Sequence, residues 1–210
     1  MTYEMMAKPH SKYVADMAIT EEPFMRFSKK YEALCVSLVD IADSTFITAS
    51  LPLEKITLYY SLFLNSMAKT AKMFGARVVK NIGDSLLFYF PTAITPESVL
   101  ECNISMIGLH HSLNSILHMH RLPDIDYRIS SDYGPTLIAM CEKTEQEDIF
   151  GNSVNMCSKI NRLAKKNTSV IGGDLYRLVK GLPAYSFRQT RHYESGFRVR
   201  YPVYEVSSLR

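Results

Sequence analysis

The sequence predicts an α/β fold, and two observations carry most of that prediction. Residues 34–41, Leu-Cys-Val-Ser-Leu-Val-Asp-Ile, form a nearly continuous apolar run of strand length, the pattern of a strand covered on both faces. Soon after, residues 52–74 place Ile56, Tyr59, Tyr60, Phe63, Met67, Ala71 and Phe74 at three-to-four spacing, which makes an amphipathic helix. Strand-like and helix-like patterns go on alternating to residue 206, without an internal repeat or a low-complexity stretch.

Residues 1–30 mix Met, Lys and acidic side chains with no sustained period, and read as an N-terminal extension or a short leading helix. The strand over 34–41 follows. The helix over 52–74 is stopped by Gly75. Residues 77–80 and 85–90 are two strands around Asn81-Ile82-Gly83-Asp84, a hairpin spacing with glycine where the chain turns. A second long helix is expected over 96–118, opened by a proline in its first turn. Strands follow at 127–132 and 136–141, separated by Tyr133-Gly134-Pro135. A helix over 152–165, a short strand at 169–171, a helix at 174–179 and strands near 187–191 and 197–206 complete the order.

Composition narrows the class. With 210 residues, 47% hydrophobic and 21% charged, the chain supports one well-buried core and is short for two domains. No apolar run reaches the roughly 20 residues of a membrane helix, and no basic-then-apolar signal opens the chain, so no membrane partner and a cytoplasmic location are expected. Cys35, Cys102, Cys141 and Cys157 stand singly in apolar segments and read as core residues or reduced thiols. A net charge of +3 from scattered basic residues does not describe a nucleic-acid binder.

Two acidic segments stand out against this background. Asp40 closes the run Val36-Ser37-Leu38-Val39-Asp40-Ile41, and Asp84 follows Ile82-Gly83 just ahead of Ser85-Leu86-Leu87-Phe88-Tyr89-Phe90. Each puts a carboxylate at the end of a strand that otherwise reads as buried, where an unpaired charge costs several kcal/mol. Something positive is expected between them. A divalent metal pair is the economical choice, because two hard carboxylates from separate strand ends hold Mg²⁺ or Mn²⁺ and leave coordination positions for substrate phosphates. Either Asp alone reads more readily as a turn cap. A third segment, Glu147-Asp148-Ile149-Phe150-Gly151, precedes a helix that projects Asn155, Lys159 and Arg162 from one face, opposite Val154, Cys157, Ile160, Leu163 and Ala164. Such a polar stripe by itself is ordinarily a solvated face.

Four stretches together change that reading: Val39-Asp40-Ile41-Ala42-Asp43-Ser44-Thr45, residues 75–84, residues 129–139 around Tyr133-Gly134-Pro135, and residues 148–159. In order and spacing they resemble the catalytic domain of the class III adenylate and guanylate cyclases over residues 31–206. The resemblance implies a ferredoxin-like, palm-related α/β sandwich that acts as a head-to-tail homodimer, with composite active sites between protomers. It makes Asp40 and Asp84 the metal-binding carboxylates, with the backbone carbonyl of Ile41 as a further ligand for two ions, Mg²⁺ or Mn²⁺. In that family one ion lowers the pKa of the ribose 3′-hydroxyl and the other holds the β and γ phosphates. Lys80 and Asp148 match the pair that reads the purine from the partner protomer, and both are of the adenine type, where guanine-selective members usually carry Glu and Cys. Asn155 matches the residue that orients the ribose. The implied reaction is conversion of ATP to 3′,5′-cyclic AMP and pyrophosphate; a non-catalytic or weakly active nucleotide-binding module of the same fold is the alternative.

Three departures bear on that choice. Lys159 stands where the family usually has the Arg that stabilises the transition state, keeping the charge without the planar fork; Arg162, one turn on, is placed to compensate. Ser195 precedes Gly196 where a phosphate-binding Lys is expected, leaving Arg191, Arg198 and Arg200 as candidates to stand in. Asp43 occupies a position commonly held by glycine, and reads either as a turn residue or as an extra carboxylate that alters metal preference. His110, His111, His118 and His120 crowd one helix end without a third ligand at suitable spacing, and Gly172-Gly173-Asp174 reads as a turn and helix cap.

Overall fold

The computed structural model describes residues 25–28, 30–141, 144–194 and 200–209. Among them lie the strands β1 (Met25–Phe27), β2 (Glu32–Ile41), β3 (Arg77–Ile82), β4 (Ser85–Phe90), β5 (Tyr127–Cys141), β6 (Glu147–Phe150), β7 (Thr168–Gly172), β8 (Tyr185–Glu194) and β9 (Arg200–Ser208). The helices are α1 (Ser44–Ala49), α2 (Leu53–Met73), α3 (Pro96–Gly108), α4 (His110–Met119), α5 (Asn152–Asn161) and α6 (Gly173–Val179). The expected N-terminal extension lies outside the described residues except at its end, where Met25–Phe27 pairs antiparallel with β5.

The apolar runs dictate the centre of the sheet. Alternate residues of β2 enter two different cores: Cys35, Val39 and Ile41 face one side, and Leu34, Val36 and Leu38 the other. A strand buried on both faces needs neighbours on both edges, and β4 and β5 supply them, both antiparallel. The full order is β3-β4-β2-β5-β7-β9-β8, with β7 parallel to β5 and with β1 and β6 on the far end of β5. Within it, β2, α2, β3, β4, α3/α4 and β5 make the β-α-β-β-α-β unit of a ferredoxin-like sandwich.

The two faces are covered unequally. Helices α2, α3, α4 and α6 cover one face, where Tyr59, Phe63 and Met67 of α2 pack on Phe88, Phe90 and Tyr127 of the sheet. Truncating the fully buried Phe63 to Ala is expected to cost about 3–5 kcal/mol through the cavity it leaves. Among the described residues the other face carries α5 and β6, which seat Cys157 and Ile149 on Leu34, Val36, Leu38, Leu87 and Tyr89. Helix α5 is docked by polar contacts as well as apolar ones. Asn161 donates to the Leu38 carbonyl at 3.2 Å, and the Ser130 hydroxyl donates to the Cys157 carbonyl at 2.9 Å. These bonds fix the rotation of the helix, so that its Asn155–Lys159–Arg162 side faces outward.

Four local expectations are corrected. The helix expected over 96–118 is two helices: Gly108 ends α3, and the Leu109 N–H bonds back three residues to Met106, tightening the chain before α4. The two strands expected at 127–132 and 136–141 are one, β5. Pro135 is tolerated because β7 stops pairing at Ser131, so that from there β5 has β2 alone beside it up to Thr136. The hairpin turn is two residues, Gly83-Asp84, because β3 runs on to Ile82. Helix α1 and strand β6 were not expected. Opposite Phe88 and Leu87, the β3–β4 ladder shifts register between Val78 and Lys80, a bulge that turns both Arg77 and Lys80 toward the face covered by β6.

Candidate active site

Asp40 lies at the end of β2, directly opposite Ser85 on one side and Arg128 on the other. It is half-buried, and Ser85 donates a 2.5 Å hydrogen bond to its Oδ1. Burial pushes its pKa up. The Ser85 bond pulls it back, the nearby Asp84 charge raises it again, and Arg128 and Arg162 lower it. Asp84 occupies the tight turn next to Ser85, so the hairpin delivers the second carboxylate beside the first. Among the described residues neither is paired with a cationic side chain within salt-bridge distance. Two neighbouring carboxylates, one of them desolvated and resisting ionisation, are a donor set suited to divalent cations. The Ile41 carbonyl follows Asp40 in the chain, and the next residue, Ala42, donates its N–H to the Asp126 carbonyl at 2.8 Å.

Asp43 is answered by geometry. Its φ of 59° is left-handed, a conformation in which glycine is at ease and Asp is tolerated. Its carboxylate turns to Lys166, at 2.8 Å, and Lys166 also reaches Asp126 at 3.3 Å. The hydrogen bond from Lys166 and its charge hold Asp43 below the usual carboxylate range. Asp126 is in turn bonded by Asn167 at 2.7 Å and by His110 at 3.2 Å. The loop after Asp40 is thereby tethered to the start of β5.

Lys80 and Asp148, 68 residues apart in sequence, are brought into direct contact: the Lys80 ammonium donates to Asp148 Oδ2. The Ile149 N–H donates to the other oxygen at 2.8 Å. Beside this pair Arg77 reaches Glu147 Oε1 at 3.3 Å, and the Tyr89 hydroxyl donates to Glu147 Oε2 at 3.0 Å. Gly151 follows β6 with φ 152°, where a Cβ would lie 2.5 Å from the Pro135 carbonyl oxygen, so only glycine lets the chain pass into α5.

Asn155, Lys159 and Arg162 are exposed, while Met156, Cys157 and Ile160 on the other side of α5 are buried, which is the division the periodicity predicts. The three are not equivalent. Arg162 lies close enough to Asp40 to lower its pKa, whereas the Lys159 ammonium sits 5.3 Å from the centre of the Tyr193 ring on β8. Of the candidate phosphate cations, Arg198 lies outside the described residues, Arg191 lies on β8 with its side chain outside them, and Arg200 opens β9 in an exposed position. His110 bonds Asp126 and His118 bonds Asp124, and no group of three or more His, Cys, Asp or Glu able to hold a metal occurs among the described residues. The four cysteines are buried, and burial pushes Cys35, Cys102 and Cys157 up to about 12.

Residues outside the sequence candidates complete the surroundings: Ser85, Lys166, Tyr193, and the set Arg77, Tyr89 and Glu147. For that set a signal was present, since Arg77 and Lys80 on one element complement Glu147 and Asp148 on another. Tyr193 and Lys166 carry no such mark. Behind the site, Asp132 is buried and accepts from the Tyr201 hydroxyl at 2.9 Å; burial pushes it up to about 7. A Cβ on Gly172 would lie 2.4 Å from that carboxylate, which accounts for the glycine at this junction.

Comparison with known proteins bears on the family and the fold. A family model, the adenylate and guanylate cyclase catalytic domain, matches residues 27–200. The adenylyl cyclase CyaB from P. aeruginosa superposes with a TM-score of 0.78 at 20% identity, covering 86% of this chain and 96% of that one. The guanylate cyclase domain of RhGC from Catenaria anguillulae, solved with GTP, gives 0.74 at 18% identity, covering 86% and 99%. The catalytic core of a rhodopsin-guanylyl cyclase with converted specificity, in complex with ATPalphaS, gives 0.73 at 19% identity, covering 86% and 98%. At these identities the structures speak for the fold. No curated protein matches significantly. The chain belongs to the adenylate and guanylate cyclase catalytic domain family, that of the class III nucleotide cyclases. No helix among the described residues is long and apolar enough to cross a membrane.

Proposed function

We propose that the protein is an adenylate cyclase of the cytoplasm, with residues 31–206 as its catalytic domain, converting ATP to 3′,5′-cyclic AMP and pyrophosphate. The observation that carries the substrate is the Lys80–Asp148 contact, a cationic donor and an anionic acceptor held side by side. Adenine presents an acceptor at N1 and a donor at its exocyclic amine, which fits that order. Guanine presents N1–H and O6, which sets a donor against the ammonium and an oxygen against the carboxylate. Discrimination of about a hundredfold or more is expected from mismatched hydrogen bonds of this kind.

Asp40, Asp84 and the Ile41 carbonyl would hold two Mg²⁺ or Mn²⁺ ions, which supply a lowered pKa at the 3′-hydroxyl and charge neutralisation on the departing pyrophosphate. Asn155 orients the ribose, and Arg162, whose charge is felt at Asp40, places positive charge toward the α-phosphate. Each site is composite in a homodimer: Asp40 and Asp84 serve a nucleotide whose base is read by Lys80 and Asp148 of the partner subunit. Support for assembly comes from the thinly covered face of the sheet, where Phe27, Ile82 and Phe150 remain exposed.

The deciding experiment incubates purified protein with ATP or GTP and Mn²⁺ and separates the products. Cyclic AMP in large excess over cyclic GMP supports the reading, and a preference for GTP overturns it. The second reading, a weakly active or non-catalytic nucleotide-binding module, is favoured by the position of Lys159 over Tyr193 rather than free toward a phosphate. ATP binding without turnover would select it.

A further inference from the structure

Strand β6 has one hydrogen-bonded strand neighbour among the described residues, β5, and its other side is tied to β3 and β4 by side chains. Those ties come in two sets. One is Lys80 with Asp148. The other is a triad in which both carboxylate oxygens of Glu147 are engaged, Oε1 by the exposed Arg77 at 3.3 Å and Oε2 by the Tyr89 hydroxyl at 3.0 Å. Arg77 stands opposite Tyr89 on the β3–β4 ladder and also donates to its hydroxyl, at 3.5 Å. Tyr89 is 1% exposed and packs among Leu34, Val36, Leu87 and Ile149, so its hydroxyl is a fixed post rather than a mobile surface group. The bulge between Val78 and Lys80 is what lets Arg77 and Lys80, three residues apart, address the consecutive residues Glu147 and Asp148 from one face.

We propose that Tyr89, Glu147 and Arg77 are positioning residues for purine selection: they brace β6 against the sheet and so hold the Asp148 carboxylate where it meets the exocyclic amine of adenine. This rests on the adenylate reading of Lys80 and Asp148 given above. The physical ground is that a carboxylate tells an amine from a carbonyl oxygen only in direct contact. A retreat of about 1 Å admits a water, and water accepts from an amine and donates to an oxygen equally well, so that binding persists while discrimination falls. A four-residue strand with a single ladder is not stiff enough to prevent that retreat unaided.

Tyr89→Phe removes one hydroxyl and keeps the ring, and Glu147→Gln keeps the shape without the charge. For each, kcat/KM is measured with ATP and with GTP, and displacement of a fluorescent ATP analogue by ATP and by GTP is measured in parallel, so that a slow enzyme still reports. Both variants are expected to raise KM for ATP more than they lower kcat and to reduce the ATP-over-GTP preference by about fivefold or more, with Arg77→Lys retaining most of it. An unchanged preference in folded Tyr89→Phe and Glu147→Gln, beside a collapse in Asp148→Ala, overturns the brace and leaves the adenylate reading standing. If Asp148→Ala and Lys80→Ala also leave the preference unchanged, the adenylate reading fails and takes the brace with it.

Discussion

The two ends of the candidate site are built on opposite electrostatic terms. At the strand end, Asp40 is half-buried with a neutral hydroxyl for a partner and a second carboxylate nearby, and its pKa is raised in consequence. At the end proposed to read the base each carboxylate has its cation: Asp148 has Lys80, and Glu147 has Arg77. One end is left short of positive charge and the other is self-neutralised. In the proposed function the folded chain thus stores unfavourable charge where a cation would arrive, and keeps a prearranged donor–acceptor pair where a neutral base would be read.

The largest effects are expected at the strand end. Asp40→Asn or Asp84→Ala should lower cyclase activity by at least about a thousandfold, with the protein still folded. In metal-free buffer Asp40→Asn should also melt higher than the parent near neutral pH. A carboxyl whose folded pKa is raised contributes stability in full below its ordinary value of 3.8 and loses it as pH rises through the folded value, and Asn removes that loss. Asp148→Asn should give no such gain, its pair being part-exposed and worth within about 1 kcal/mol. Melting curves showing a gain at Asp148 and none at Asp40 would invert the comparison.

Next comes complementation. Because the two ends of one chain serve different nucleotides in the proposed dimer, Asp84→Ala mixed with Lys80→Ala should regain about a quarter of parental activity once subunits exchange, half the dimers then having one intact site of two. No recovery despite demonstrated exchange would place both ends on the same nucleotide. A smaller effect is expected at Lys159, where substitution by Arg should raise kcat by up to about tenfold with little change in KM. Tyr193→Leu, by removing the ring under the ammonium, should move kcat in the same direction if that contact holds Lys159 back. The smallest is at the tether. Lys166→Met frees Asp43 and should change the KM for Mn²⁺ by no more than about fivefold, since the pair is exposed.

How far the sequence revealed this depended on the range of the interactions involved. The strand over residues 34–41 and the helix over 52–74 were legible because burial on two faces and burial on one leave different periods. Helix α1 left no such period, having no buried residue, and β6 is too short for one. The break at Leu109 and the continuity of β5 through Pro135 turn on which backbone groups find partners, and composition does not encode that. At the site, the acidic strand ends announced themselves through a charge in an apolar run. The pairing of Lys80 with Asp148 was expected only through family resemblance, and Tyr193 beneath Lys159 and Lys166 beside Asp43 became visible only when strands distant in sequence were set side by side.

The extra residue in β3 has a consequence for how this protein can change by loss or gain of length. Deleting Val79 would restore strict alternation and leave Lys80 opposite Leu87 on its present face; flattening the bulge instead, so that Val79 paired with Leu87, would turn Lys80 onto the side of the sheet lined by Phe88, Phe90 and Phe63, where an ammonium meets little water. A one-codon deletion at Val79 therefore keeps Lys80 on the face it shares with Arg77, whereas a one-residue slip of the strand, with every residue keeping its identity, would carry Lys80 through the sheet. In this hairpin the pairing of residues across the strands is as much a determinant of which side chains share a face as the residues themselves.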